Sequence, residues 1–408
     1  MGDHLRVAVI GAGTRGIALA RHAAAQGAAV AAVAEPDRGR REAFAREFAL
    51  PAADVLASWE AMEGRDLACD AAIITTLDNQ HTGPAIASLR RGWHLLLEKP
   101  MAATLEDCLA IEAAQRGAGV VLSVCHTLRH LDSYRTLKAL IAGGALGRVM
   151  HIEHMEAIGH RRFAHNYVRG RWAREARNTF LLLHKCCHDL DLVSWLAAAP
   201  CRRVASFGGL AYFRPERAPA GSAARCLDCG LGAACLYSAR RLYLEGDLEA
   251  WPARDVSAVH TLEAHLEAVR GGPYGSCVWR TDNDVVDHQT VLLEFAGGAT
   301  ATVTLSGFSA SNGRRTRIQG DRGELLYDEA LGSLEVTCFD GSPARRIACV
   351  APAGYHPEDA EIVRDWLQAI AYPGEAHIAV DAREALRGHA VVFAAERARL
   401  EGRVVELE

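Results

Sequence analysis

Apolar residues come in short runs along the first 125 positions. "LRVAVIGAG", "AAVAAVAEPD", "CDAAIITTL" (Cys69 to Leu77), "WHLLLEKP" (Trp93 to Pro100) and "GVVLSVCHT" (Gly119 to Thr127) are separated by segments of helical spacing. Uninterrupted apolar runs alternating with helices predict parallel strands covered on both faces, an α/β doubly wound sheet. In such a sheet chemistry belongs at the carboxyl ends of the strands, where Thr75, Asp78, His81, Glu98 and Lys99 fall. Farther along, "GRVMHIEHMEAIG", "RVASFGGLAYF", "VVDHQTVLLEFAGGATATVTLSGFS", "RTRIQGDRGELLYDE" and "GSLEVTCFDG" alternate apolar with polar residues. That period predicts an open, mostly antiparallel sheet with one covered face, in an α+β domain. "PEDAEIVRDWLQAIA" and "REALRGHAVVFAAERARLEG" return to helical spacing. The expected division is a nucleotide-binding unit at 1–125, a substrate and assembly unit at 126–355, and C-terminal helices at 356–408.

A chain of 408 residues fits two domains, and 50% hydrophobic with 23% charged residues describes a globular protein. A net charge of −5 gives no electrostatic reason to expect nucleic acid. No apolar run is long enough to cross a bilayer, and the N-terminus lacks the regions of a signal peptide, so the expected location is the cytoplasm.

The first strand ends in Gly11, Gly13 and Gly16, with Thr14 and Arg15 between them. Glycines at this spacing let the chain turn, let the backbone approach a pyrophosphate, and let the helix pack on its strand. The helix N-terminus then offers free N–H groups to phosphate. Glu35 closes the second strand 19 residues after Gly16. A carboxylate there accepts hydrogen bonds from ribose hydroxyls and repels a 2′-phosphate, which favours NAD over NADP, while Arg38 keeps NADP as the minority reading.

"GAGTRG", "AEPD", "TTLDNQH" and above all Glu98-Lys99-Pro100 resemble the glucose-fructose oxidoreductase / inositol dehydrogenase / MocA family over nearly the whole chain. The resemblance implies a Rossmann domain followed by an open-sheet domain whose face meets the nicotinamide. It also implies cofactor contacts from Thr75, Thr76, His81, Glu98 and Lys99. Leu77 stands where that family usually has proline. In "LLLHKCCHDLDLVSW" the family's D-x-x-x-H, x-x-D pattern places His188 at the histidine and Asp191 at the trailing aspartate, with His184 in place of the first aspartate. Positions 184, 188 and 191 share a helical face, with Lys185 and Asp189 beside it.

An alcohol oxidised by hydride transfer must also lose a proton, and an imidazole suits that task. Lys99 and His188 are expected to be catalytic. Lys185 joins them as a further candidate, with Lys99 steadying the oxygen or acting as base if burial lowers its pKa. His184 is read as either structural or substrate-facing. With Lys185 it is expected to make the pocket more cationic and to favour an acidic or more oxidised substrate. Arg129, Tyr134, His165, Tyr167, Asp191 and His288 are further substrate-side candidates.

"ARCLDCGLGAACLYS" holds Cys226, Cys229 and Cys235. With Cys277 as the fourth ligand, or Cys187 as the second choice, they read as a structural zinc site; reduced thiols are the equal alternative. The function expected is an NAD-dependent oxidoreductase acting on a secondary hydroxyl of a sugar, inositol or related polyol, in a homo-oligomer. The alternatives are a glycosidase that oxidises its sugar transiently with NAD, and a non-enzymatic NAD-binding protein.

Overall fold

The computed structural model describes residues 5–349, 358–375 and 378–407. The expected boundary at 355/356 lies outside the described residues. The first sheet contains β1 (Arg6–Ile10), β2 (Ala29–Ala34), β3 (Val55–Leu56), β4 (Ala71–Ile74), β5 (His94–Leu97) and β6 (Leu122–Val124). All pairs are parallel, in the order β3-β2-β1-β4-β5-β6. Alternate side chains of β1 serve the two faces. Val7 and Val9 pack with Leu19, Phe44 and Trp366 on one side, and Ala8 and Ile10 with Leu89, Ile111 and Ala385 on the other. Burying a side chain such as Leu19 contributes about 1.5–3 kcal/mol.

The strands are shorter than their apolar runs. The run from Cys69 to Leu77 is strand only from Ala71 to Ile74, and β3 has two residues and no apolar run of its own.

The second sheet holds β7 (Val149–Gly159), β8 (Cys201–Gly209), β9 (His288–Phe295), β10 (Thr300–Ser309), β11 (Gly313–Gly320), β12 (Gly323–Asp328), β13 (Ser333–Cys338), β14 (Arg345–Ala348) and β15 (Val405–Glu406). Its order is β14-β13-β12-β11-β7-β10-β9-β8-β15, and of its pairs only β7 with β10 is parallel. Inward residues Ile152, Val291, Leu293, Val303, Leu305 and Ile318 form one core with Leu182, Leu183 and Leu190 of the Leu181–Ala197 helix. That helix stops at Ala198, whose φ of +54° is left-handed, and Pro200 follows.

The C-terminal segment joins the two units. Helix Asp359–Ala371 lies on helix Thr14–Ala25, and helix Ala382–Glu401 touches helix Leu105–Ala118, helix Leu181–Ala197 and β8. The segment expected to be helical throughout also supplies β15, which pairs antiparallel with β8. Among the described residues no helix is long and apolar enough to cross a membrane.

Candidate functional site

The glycine turn is built for close backbone approach. Gly11 has φ +96°, and a Cβ there would sit 2.7 Å from the Thr75 carbonyl oxygen. A Cβ on Gly16 would lie 2.0 Å from the Gly11 carbonyl oxygen, so the helix can seat on the strand only with glycine. A Cβ on Gly13, by contrast, would meet nothing within 4 Å. Gly13 is the N-cap of helix Thr14–Ala25, no side chain caps it, and the first turn carries no acid. Open space in front of free N–H groups fits a pyrophosphate. Glu35, almost fully buried, accepts from the Ala12 and Asp37 amides at 2.8 and 2.9 Å and from Arg40 at 3.1 Å. Three donors on a carboxylate with about four acceptor positions leave one for a ribose hydroxyl. Arg38 turns away to Glu42 at 2.7 Å; the arginine beside Glu35 is Arg40.

The turn after β5 is held from several directions. Arg15 pairs with Glu98 at 2.6 Å and with Asp359. Glu98 in turn accepts from the Lys99 amide at 2.7 Å. Thr75 Oγ1 donates to the Gly11 carbonyl at 2.7 Å, and Thr76 Oγ1 to that of Gln80 at 3.1 Å. His81 Nδ1 lies 2.7 Å from the Pro100 carbonyl oxygen. His389, from the C-terminal helix, accepts from the Met101 amide at 2.9 Å while its Nδ1 meets the Ala385 carbonyl at 2.7 Å. Those partners assign a neutral ring with the proton on Nδ1.

Lys99 Nζ donates to the His184 carbonyl at 2.9 Å. This is the oxygen to which an α-helix directs the N–H of residue 188, so the ammonium reaches the helix at the turn carrying both histidines. Burial acts to lower Lys99, but Cys187, Asp78 and Glu98 outweigh it and hold the ammonium above its ordinary range. Cys187 is itself pushed up to about 12 by burial, so at neutral pH it is an uncharged thiol, and Asp78 and Glu98 are the anions beside Lys99. Lys99 is therefore a cation and not a burial-activated base.

His184 Nδ1 lies 2.5 Å from Asp78 Oδ2. Burial acts to raise Asp78, yet the ring of His184 and the ammonium of Lys99 bring it down to about 2. His184 itself is lowered by burial, against the pull of Asp78. Trp172 covers its ring at 5.1 Å and Tyr167 at 6.0 Å.

His188 is 9% exposed, and its buried Nδ1 has no hydrogen-bond partner. Burial, with Lys99, His126 and Arg314 adding to it, holds this ring well below its ordinary pKa. His126, at the end of β6, stands edge-on to His188 at 5.6 Å, and neither of its ring nitrogens has a hydrogen-bond partner.

Several expected site residues are held by partners of their own. Lys185 pairs with Glu156 at 2.7 Å, and Arg314 binds Glu156 at 3.0 Å and Asp189 at 2.7 Å. Lys185 is paired with Glu156 and burial lowers His184, so neither adds the positive charge expected of the pocket. Asp191 is clamped by Arg129 through two bonds of 2.8 and 2.7 Å, so neither is free to orient substrate. Tyr134 is fully buried against Tyr327, with its hydroxyl 3.5 Å from Thr316. His165 stacks on Tyr274 at 4.7 Å and meets Tyr243 at 3.1 Å, beneath the cysteine-bearing loops. His288 pairs with Asp287 at 2.8 Å on the second sheet.

Cys226, Cys229, Cys235 and Cys277 line one small pocket together with Arg169 and Trp279. Among the described residues, however, no group of three or more His, Cys, Asp or Glu is placed to hold a metal ion. Cys226 Sγ accepts from Arg169 at 3.3 Å, and burial raises Cys235 and Cys277, which keeps them as thiols. The four thiols expected as zinc ligands therefore share a pocket without forming a metal-binding group among the described residues. Cys187, the second-choice ligand, lies on the cleft helix instead.

Asp78, His126 and His389 were given no role from sequence. Asp78 was visible as a strand-end residue, but its partner lies more than 100 positions away.

Residues 5–126 match the family model described as an oxidoreductase family with an NAD-binding Rossmann fold, and residues 138–407 match its C-terminal alpha/beta domain. YteT of Bacillus subtilis is 24% identical over 273 residues, 64% of this chain and 60% of that one. Inositol 2-dehydrogenase 2 of Saccharopolyspora erythraea is 30% identical over 199 residues, 47% of this chain and 53% of that protein. The chain thus spans less than two thirds of the length of these relatives. The crystal structure of an oxidoreductase from Agrobacterium radiobacter in complex with NAD+, L-tartaric acid and magnesium superposes with a TM-score of 0.71. It is 17% identical and covers 99% of this chain and 98% of its own, a likeness of fold.

Proposed function

The chain belongs to the GFO/IDH/MocA oxidoreductase family, and from that premise we propose that it is an NAD-dependent dehydrogenase of a secondary hydroxyl on a sugar, inositol or related polyol. The observation that carries this reading is the contact of Lys99 Nζ with the carbonyl of His184, which brings an ammonium and two imidazoles together at the carboxyl end of β5. Bound NAD would supply the hydride acceptor. Gly11, Gly13, Thr14 and Gly16 would receive its pyrophosphate and Glu35 its adenosine ribose. Thr75, Thr76 and His81 shape the wall beside it, and Arg15 with Glu98 holds the turn that presents Lys99.

Lys99, cationic at neutral pH, stabilises oxygen charge as the hydroxyl becomes a carbonyl. An imidazole of the Leu181–Ala197 helix takes the hydroxyl proton; His188 is the candidate the family resemblance assigns. The pairing of Lys185 with Glu156 and of His184 with Asp78 leaves little unbalanced charge and favours a neutral polyol over a carboxylated one. A relative named as an inositol 2-dehydrogenase supports the same class.

The deciding experiment incubates the protein with NAD and a panel of inositols, free sugars, aldonates and aryl glycosides, following NADH and products together. NADH formed in step with a neutral polyol supports the reading. Preference for the aldonates overturns the substrate class, and aglycone release with no NADH would identify the redox-neutral glycosidase instead. The outward face of the second sheet exposes Phe207, Leu292 and Leu326, which supports assembly of copies through that face. Light scattering on the purified protein should therefore return a multiple of 44.0 kDa.

A further inference from the structure

We propose that the proton acceptor is a dyad assembled across the two domains, His184 oriented by Asp78. This assignment rests on the dehydrogenase reading above but places the base at a position where that reading, by resemblance, does not. The family pattern carries its first aspartate on the helix; here the helix has His184 there, and the carboxylate comes from the loop after β4 on the nucleotide-binding domain.

The argument is one of counter-charge. Whichever imidazole takes the proton becomes a cation beside Lys99, and a buried cation needs a carboxylate. Near His188 the carboxylates already have cationic partners, and neither is hydrogen-bonded to its ring. Asp191 takes two bonds from Arg129, and Asp189 takes Arg314 and His154, the latter at 2.9 Å, both on Oδ1. His188 Nδ1 has no partner, and the charged group with most influence on it is Lys99. His184 has a carboxylate in contact, Asp78 Oδ2 at 2.5 Å from Nδ1. The groups facing His184 are Asp78 and Lys99 from the nucleotide-binding domain, Lys185 on its own helix, and the rings of Tyr167 and Trp172. Lys185 is already neutralised by Glu156.

With Asp78 ionised and Nδ1–H donated to it, the lone pair of Nε2 is free. Bound NAD would take the hydride from the substrate carbon and leave as NADH. His184 Nε2 takes the hydroxyl proton as the alcohol becomes a carbonyl, and passes it to water after product release. Asp78 takes no proton; it fixes the tautomer and offsets the imidazolium charge, as in other carboxylate–histidine pairs.

Two measurements test this. The first needs no substrate: proton NMR of the parent protein should show a low-field Nδ1–H resonance that disappears in both Asp78→Asn and His184→Gln. The second uses the panel member that best reduces NAD. Each single variant should lose about 100-fold or more in kcat. NAD affinity should stay near that of the parent, and the acid limb of the kcat–pH profile should shift in Asp78→Asn. The double variant should be no slower than the worse single one, because the pair acts as a unit. An Asp78→Asn enzyme within fivefold of the parent, or losses that multiply in the double variant, would overturn the dyad. If no panel member reduces NAD, the dehydrogenase reading fails. The resonance then decides the dyad alone, and its absence sinks it.

Discussion

At the scale of single residues, the cofactor turn is the best determined part of the molecule. Gly16→Ala would place a methyl carbon 2.0 Å from the Gly11 carbonyl oxygen, against backbone that cannot yield like a side chain. The expected result is a stability loss of about 2 kcal/mol or more, in the range of overpacked sites, with NAD binding abolished in a fluorescence titration. Glu35 sets the nucleotide preference. Glu35→Ser should lower KM for NADP relative to NAD by at least tenfold, because removing the carboxylate leaves Arg40 beside the 2′ position. Unchanged preference would show that Glu35 serves only the Ala12 and Asp37 amides. These positions were legible in the sequence because glycine conformation and strand-end acids act through near neighbours. Asp78 was not, because its role depends on a histidine that only the assembled fold brings to it.

Among the elements, the turn at Glu98–Met101 depends on groups from far along the chain. Its sequence signature was plain, yet nothing local announced His389 as its clamp. A histidine in an apolar helix has no spacing pattern that tells an acceptor for a backbone amide from a core filler. His389→Ala leaves the buried Met101 N–H without its acceptor, at a cost of about 1–3 kcal/mol. Urea unfolding should register that loss. Lys99 should also be less well placed, so kcat should fall while NAD affinity, set at the glycine turn, holds. The Leu181–Ala197 helix was legible as the carrier of the histidines. Its polar partners were read less well: Lys185 and Asp191 were expected to act on substrate, but Glu156 and Arg129 on other elements pair with them.

For the molecule as a whole, two layers of structure share a belt of buried histidines. His126 and His389 are both brought down to about 3, chiefly by burial, and their rings lie 5.5 Å apart. The unfolded chain protonates such rings below about 6.5 and the folded one does not until about 3, so stability is complete above 6.5 and falls as pH drops through that window. The slope is up to about 1.4 kcal/mol per pH unit for each ring. Urea midpoints measured from pH 7 to pH 4 should decline steadily, and His126→Gln should flatten the decline; a midpoint independent of pH would contradict the buried, neutral assignment. Asp78, held at about 2, adds a further loss between its ordinary range near 4 and pH 2. The two-layer plan was readable from the change of hydrophobic period near residue 125. The sheet order β14-β13-β12-β11-β7-β10-β9-β8-β15 was not, since alternation states which face a strand buries and not which strand it neighbours.

The clamp between Met101 and His389 separates bonded partners by 288 positions. On a ribosome adding roughly 5–20 residues each second, the loop that presents Lys99 waits on the order of 15–60 s for the ring that secures it. The helix after the glycine turn waits almost as long, because Asp359 pairs with its Arg15 and Trp366 packs on its Leu19.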